Sequence, residues 1–447
     1  MKIRFWGTRG SIARAGPATV RYGGNTSCVE IRTDSDALVV VDCGTGGHGL
    51  GQHLMARKSG AVDGHLLISH THWDHIQGIP FFAPFFSAGN VWDIYGPTGM
   101  SQSLHAALAG QMEHTYFPVA LDQCRATIRY HDLVEGAFSI HDVRVVTRYL
   151  NHPALTLGYR LEVDGASVVY CCDHEPHSRA LASGESLITG IDRQYADFVA
   201  DADLVIHDAQ YTAAEYAASK IGWGHSPIEY AVRVCRDAGV KRVALTHHDP
   251  LRDDDAVDRI VEDIRARLRK DGSPLEVVAA SEGLRIQLHG EPKTASRRTA
   301  GDFVADTAID AAAVIRPVLL SVADGRLMAV LSAAITAEGL TWQVIADEKE
   351  MLRAVPGIQP SLVMIEHNPP HVDGNAMARA IRRGEGTGNL QASLVLVVAG
   401  EHLVSREIGT ATDFLVAPFS LSYARTKIRA WALRTACRWI RAQLPAA

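Results

Sequence analysis

Four donor side chains crowd into six positions of this chain: His70, His72, Asp74 and His75, in the run "HTHWDH". Imidazole nitrogen and carboxylate oxygen are donors that zinc, manganese and iron all accept. Side chains alternate along a strand, so a strand ending in His-x-His puts both imidazoles on one side. The turn Trp73-Asp74-His75 can then offer a second set of donors nearby. One zinc ion takes about four ligands, so this run alone does not finish a site. Three later residues stand where strand-like runs end: His152 in "YLNHPALTLGYR", Asp173 in "VVYCCDHE" and His247 in "VALTHHDP". His248 is adjacent to the last and is an alternative donor. With His247 the inventory is five histidines and two aspartates, enough for two metals sharing one carboxylate. Two such ions, about 3.5–4 Å apart, clamp the attacking and leaving oxygens of a phosphoester displacement. Water on such an ion ionises near pH ~7, so attack by metal-bound hydroxide needs no serine or cysteine nucleophile.

These donors need strands to deliver them. "ALVVVDCGTGG", "GHLLISH", "ASVVYCCDH", "ADLVIHDAQ" and "KRVALTHH" each run apolar and end polar, the pattern of buried strands whose C-terminal ends converge. "HSPIEYAVRVCRDAGV" reads as a helix with Ser226 as N-cap, Pro227 first, Glu229 as capping-box partner and Gly239 as the stop. "DDDAVDRIVEDIRARLRK" reads as a second, acids leading and bases trailing, with Ile260, Val261, Ile264 and Leu268 as its apolar stripe. Residues 291–314 lose the pattern and read as a linker between a domain over 1–290 and another over 315–440. In the second, "PVLLSV", "SLVMIE", "SLVLVV" and "DFLVA" alternate with helix-length segments, as in a doubly wound α/β domain. The fold class is therefore α/β in both parts.

The formal net charge of −6 gives no global basic field for a long nucleic acid. Seven scattered cysteines without a CxxC pair argue against a disulfide framework and for a cytoplasmic setting. No run of about 18 apolar residues reads as a membrane span, and the N-terminus lacks the apolar core of a signal peptide.

"HTHWDH", with Asp42 in "VVVDCGTG", His152, Asp173 and His247, resembles the metallo-β-lactamase fold superfamily over residues 1 to about 290. "GTRGSI" and "YGGNTSCVEI" resemble the branch that holds tRNase Z and cyclic-nucleotide phosphodiesterases. The resemblance implies an αββα sandwich with a dinuclear centre, most simply two Zn²⁺, Mn²⁺ and Fe²⁺ also fitting. It implies that His70, His72 and His152 hold one metal, that Asp74, His75 and His247 hold the other, that Asp173 bridges, and that Asp42 supports the site from beneath. In that branch a histidine in a Gly-His-Ser/Thr setting is the proton donor, which here is His225 in "GWGHSP". "VIHDAQYT" is similar to the branch's His-Glu-Ala-Thr run and puts Asp208 in place of the glutamate that orients the donor. Asp74, His225 and Asp208 are thus the expected catalytic residues.

The tRNA-processing members carry a long Gly/Pro-rich arm between the third histidine ligand and the bridging aspartate. Here "PALTLGYRLEVDGASVVYCC" leaves room for a strand, a turn and a strand, so no tRNA arm is expected. The expected substrate is a cyclic nucleotide or another small phosphodiester; other readings are a lactone, thioester or sulfate-ester hydrolase, or a non-catalytic signalling adaptor. Phe81, Phe82, Phe85, Phe86, Tyr116 and Phe117 are candidates for core or pocket wall. His105, His114, His174 and His177 read as surface residues or as supports of the site.

"PSLVMIEHNPPHVDGNAMARAIR" and "DFLVAPFSLSYARTKI" are similar to parts of a response-regulator receiver domain. Glu366 stands where the phospho-accepting aspartate would be, Ala417 at the lysine, Val398 at the hydroxyl residue, and Asp324 remains of the acidic cluster. Such a domain is expected to escape phosphorylation and to serve homodimerisation or docking of a protein partner.

Overall fold

The computed structural model describes residues 1–56, 60–97, 103–177, 188, 190–290, 316–384, 392–399, 411, 413–417 and 419–443. Contacts divide the chain into two compact units, essentially the described residues up to Gly290 and those from Arg316 onward. The expected linker, 291–314, lies outside the described residues.

The first unit begins with β1 (Lys2–Gly7), β2 (Cys28–Arg32), β3 (Leu38–Val41), β4 (Gly64–Leu67), β5 (Val91–Pro97) and β6 (Thr127–Leu133). A second sheet follows: β7 (Gly136–Ile140), β8 (Val143–Tyr149), β9 (Leu157–Val163), β10 (Ala166–Cys171), β11 (Leu204–Asp208), β12 (Arg242–Thr246) and β13 (Glu276–Ala279). Strand β14 (Arg285–Gln287) then returns to the first sheet beside β1. The sheets run β14-β1-β2-β3-β4-β5-β6 and β13-β12-β11-β10-β9-β8-β7. Strands β3 to β6 are parallel in the first, and β10 to β13 in the second. Every residue of β3, β10 and β11 is buried, as expected of parallel strands covered on both faces.

Helices cover the outside of each sheet. Leu50 and Leu54 of the helix Gly46–Ala56 share a core with Val40, Leu66 and Ile94. Val234 of the helix Ile228–Asp237 and Val257, Val261, Ile264 and Leu268 of the helix Asp254–Lys270 pack on Val169, Val205 and Val243. Ile260, expected on this stripe, is only partly buried against the same cluster. Between the sheets, Tyr159 donates to the Ile68 carbonyl and Tyr170 to Asp42, each at 2.6 Å. The parallel strands of both sheets therefore end at one edge, where β3, β4, β10, β11 and β12 hand over to Asp42, His70, Asp173, Asp208 and His247.

One expectation is corrected. Ser226 is not a helix N-cap: its hydroxyl donates to the carbonyl of His174, Pro227 is the cap residue without a side-chain bond, and Glu229 accepts from Ala213 N–H. Tertiary hydrogen bonding has outcompeted the local capping box. Gly239, at φ +71°, does follow the helix's last residues.

In the second unit β15 (Val318–Ser321), β16 (Trp342–Val344), β17 (Leu362–His367), β18 (Ser393–Ala399) and β19 (Asp413–Ala417) form an all-parallel sheet in the order β16-β15-β17-β18-β19. That order and the intervening helices are those of a doubly wound, flavodoxin-like domain. No helix among the described residues is long and apolar enough to cross a membrane.

Candidate metal centre

Asp42, Asp173 and His247 all follow strand ends in the left-handed conformation, with φ of +57°, +62° and +59°. Three such non-glycine residues, one from the first sheet and two from the second, store backbone strain where the functional side chains gather. The donor atoms of His70, His72, His152 and Asp173 lie within 4.8 Å of one another. His152 Nε2 is 3.1 Å from His72 Nδ1, and Asp173 Oδ2 is 3.4 Å from His70 Nε2 and 3.5 Å from His152 Nε2.

A second group surrounds the other oxygen of the same carboxylate. Asp173 Oδ1 is 3.3 Å from His75 Nε2 and 3.2 Å from His247 Nε2. Asp74 Oδ2 is 3.3 Å and 3.0 Å from the same two nitrogens. A tetrahedral ion at about 2.0–2.2 Å from its ligands separates them by about 3.3–3.6 Å, so both groups fit one. Within the protein His70 Nε2, His75 Nε2 and Asp173 Oδ1 are buried and find no hydrogen-bond partner. Orphaned buried acceptors of this kind call for a cation. His248 does not take part, because its Nε2 is bonded to the Ala280 carbonyl at 2.9 Å.

The surroundings fix which nitrogen each ring offers. His75 donates Nδ1–H to Asp42 Oδ2 at 2.7 Å, and His152 donates Nδ1–H to the Gly224 carbonyl at 2.9 Å, so Nε2 of each is left as an acceptor. Asp42 itself also accepts from Ser69 N–H, the Ser69 hydroxyl and Tyr170, a support beneath the site as expected. Ser11, within the "GTRGSI" run, donates its N–H to Asp74 Oδ2 at 2.8 Å. Burial drives the His152 imidazole down to about 3 and that of His70 well below the usual range, which keeps both neutral and free to ligate.

His225 stands beside both groups, its ring stacked on His247 at 4.9 Å and edge-on to His152 at 5.2 Å. Its Nδ1–H donates to Asp208 Oδ2 at 3.0 Å, the expected pair, in spite of the shorter side chain. Burial alone would lower the His225 pKa, but the Asp208 and Asp173 carboxylates outweigh it and raise it to about 9. Nδ1 being engaged, Nε2 is the atom left to give up a proton.

Glu175 was not singled out by the sequence, yet it accepts from Gly222 N–H, Gly224 N–H and the Tyr216 hydroxyl. It thereby holds the loop that carries His225. Gly224 is at φ +87°, and a Cβ there would lie 2.3 Å from His152 Nδ1, so no other residue fits. Among the aromatic candidates Phe82 and Phe85 are fully buried core, whereas Phe81 and Tyr116 are exposed. Trp73 and Trp223, next to the site in sequence, are 72% and 56% exposed. His174 is buried and stacks on Tyr195, while His105 pairs with Asp122 near the surface.

Residues 38–248 match the domain family described as "Beta-lactamase superfamily domain". Ribonuclease BN of Cronobacter sakazakii is 26% identical over 294 residues, 55% of this chain and 88% of that protein. Ribonuclease Z of Haloarcula marismortui is 25% identical over 331 residues, 64% of this chain and 96% of that one. The metallo-beta-lactamase fold protein YhfI from Bacillus subtilis is 19% identical with a TM-score of 0.46, covering 64% of this chain and 98% of its own. The first unit has the metallo-β-lactamase fold, a fold that binds divalent metals, and the chain has relatives named as ribonucleases Z and BN.

Proposed function

We propose that this chain is a dinuclear metal-dependent phosphodiesterase that hydrolyses a cyclic nucleotide or another small phosphodiester. The observation that carries the reading is that Asp173 faces two donor groups at once, Oδ2 towards His70 and His152 and Oδ1 towards His75 and His247. His70, His72 and His152 would hold one divalent ion, Asp74, His75 and His247 the other, with zinc favoured by the tetrahedral spacing. Two ions so bound supply an activated water and neutralise charge on the phosphoryl oxygens. The residues do the rest: Asp208 keeps His225 protonated and oriented, and His225 Nε2 passes that proton to the departing alkoxide.

The connection between the donors His152 and Asp173 supports a small substrate. Strands β9 and β10 are joined by Asp164 and Gly165 alone, and no RNA-gripping insertion interrupts them. The ribonuclease names of the relatives favour a second reading, cleavage of an RNA phosphodiester at the same centre. In the second unit, the receiver-like features support a module for homodimerisation or protein docking that is not itself phosphorylated.

Purified protein with Zn²⁺ or Mn²⁺ should be tested against cyclic mono- and dinucleotides, bis(p-nitrophenyl) phosphate and a 3′-extended tRNA. Turnover of the small diesters with little cleavage of the tRNA is the expected result. Efficient tRNA cleavage would transfer the assignment to the second reading, and cleavage of lactones or thioesters alone would remove phosphodiesterase activity from the account.

A further inference from the structure

We propose that Cys172 is a further metal ligand, a thiolate donor to the ion held by His75, His247 and Asp173; this rests on the metal reading above. The donor atoms of His75, Cys172, Asp173 and His247 all lie within 4.8 Å of one another, and all four residues are buried. Successive side chains of a strand point to opposite faces, so Cys172 and Asp173 could not ordinarily serve one group. The left-handed turn at Asp173, φ +62°, breaks that alternation immediately after β10 and lets both donors converge.

Two of the partners independently mark the spot as a cation site. His75 Nε2 and Asp173 Oδ1 are fully buried and without hydrogen-bond partners. The thiol has competing neighbours, the Ser27 hydroxyl at 3.9 Å and the Tyr170 hydroxyl, but sulfur hydrogen bonds are weak. Among the described residues no other cysteine joins a group of metal-competent donors. Ligation breaks the S–H bond and forms a sulfur–metal bond, and the proton leaves to solvent. Zinc usually holds four ligands, so the thiolate would take the place of one carboxylate oxygen, from Asp74 or Asp173, on this ion. The consequence is metal choice: a soft thiolate adds to the preference for zinc over manganese that the imidazoles already give, and extends it to cadmium.

The test is spectroscopic and uses the full chain. Metal-free protein is loaded with two equivalents of Co²⁺, and absorbance is recorded for the wild type, Cys172→Ser, Cys172→Ala and, as a control, Cys235→Ser. A near-ultraviolet thiolate-to-cobalt charge-transfer band is expected in the wild type and Cys235→Ser. It should be absent from both Cys172 variants, which should keep the visible cobalt bands. Zinc affinity, measured by chelator competition, should fall about tenfold or more in Cys172→Ser, and manganese affinity by less. A wild type that binds two cobalt ions without the charge-transfer band overturns this proposal and leaves the dinuclear reading intact. Persistence of the band in Cys172→Ser also overturns it. Failure of the wild type to bind cobalt overturns both. The wild-type spectrum decides the matter even where a variant does not fold.

Discussion

Asp208 is a single carboxylate with several tasks. It accepts the Nδ1–H of His225 and the backbone N–H groups of His174, Gln210 and Ser226. If His225 is the proton donor, its loss should matter in proportion to how poor the leaving group is. His225→Ala should lower kcat for a cyclic nucleotide by about 10²–10⁴. For bis(p-nitrophenyl) phosphate, whose phenolate leaves unaided, the loss should be much smaller, and metal content should be unchanged in both assays. Equal losses on the two substrates would show that the ring has another role. The acid must be protonated to act, so activity falls as pH rises through its pKa. Asp208→Asn removes the carboxylate that raises that pKa, and the alkaline limb of the rate profile should therefore move to lower pH. A limb that stays in place in this variant removes Asp208 from the proton-donor pair. At this scale the sequence was most informative about donors, because each sits where an apolar run ends. Glu175, Ser69, Tyr170 and Cys172 were not legible. Their roles depend on how two distant sheets and a loop meet, and no spacing in the chain encodes that.

Among the elements, the loop from Gly222 to Ser226 connects the two halves of the chemistry. Glu175 holds its amides, while Gly224 gives its carbonyl to His152. Glu175→Ala should leave three donors without their acceptor, two of them buried, and release His225, lowering kcat on a cyclic nucleotide about as much as His225→Ala does. Zinc stoichiometry should stay at two, so full activity in Glu175→Ala would refute the positioning role. A different element carries an acid-sensitive histidine. His65 on β4 lies 3.3 Å from His141 and 3.8 Å from Asp93; burial lowers its pKa to about 4, although Asp93 pulls the other way. Its folded pKa is below the free value near 6.5, so as pH falls the unfolded chain takes up the proton first. Stability is full above the free value and is lost between it and the folded one. Between pH ~7 and ~5 the wild type should lose about 1–2 kcal/mol more than His65→Gln in urea unfolding, and parallel losses would discount the histidine. The strands and the long helix Asp254–Lys270 were readable from alternation and charge order. The cap at Ser226 was misread because the His174 carbonyl, contributed by another segment, claims its hydroxyl.

The whole molecule consists of two units with separate cores. Val169, Val205 and Val243 belong to one of the first unit's clusters, and Val318, Leu320 and Met364 to one of the second's. Ligands that bind only the folded first unit should stabilise that unit alone, by about 2.7 kcal/mol per site at a hundredfold excess over Kd. Chelation should accordingly lower one calorimetric transition by several degrees and leave the other in place; a shift of both would mean that the units unfold together. The second unit's fold was legible from its alternating strands, but not the use it makes of Glu366. That side chain is buried on β17, and its Oε2 accepts from Ala323 N–H at 2.7 Å and Asp324 N–H at 2.9 Å. Asp324, the remaining acidic residue, is turned to cap its own helix through Arg326 and Leu327 N–H. Glu366 Oε2 and Asp324 Oδ1 are thus each engaged by two backbone donors. With Ala417 where the lysine would be, Glu366→Asp should not restore acceptance. Incubation with acetyl phosphate and Mg²⁺ should leave the intact mass of the wild type and of Glu366→Asp unchanged. A gain of one phosphoryl group in the wild type would mean that a carboxylate of this unit is reactive, and would overturn the unphosphorylated reading proposed above.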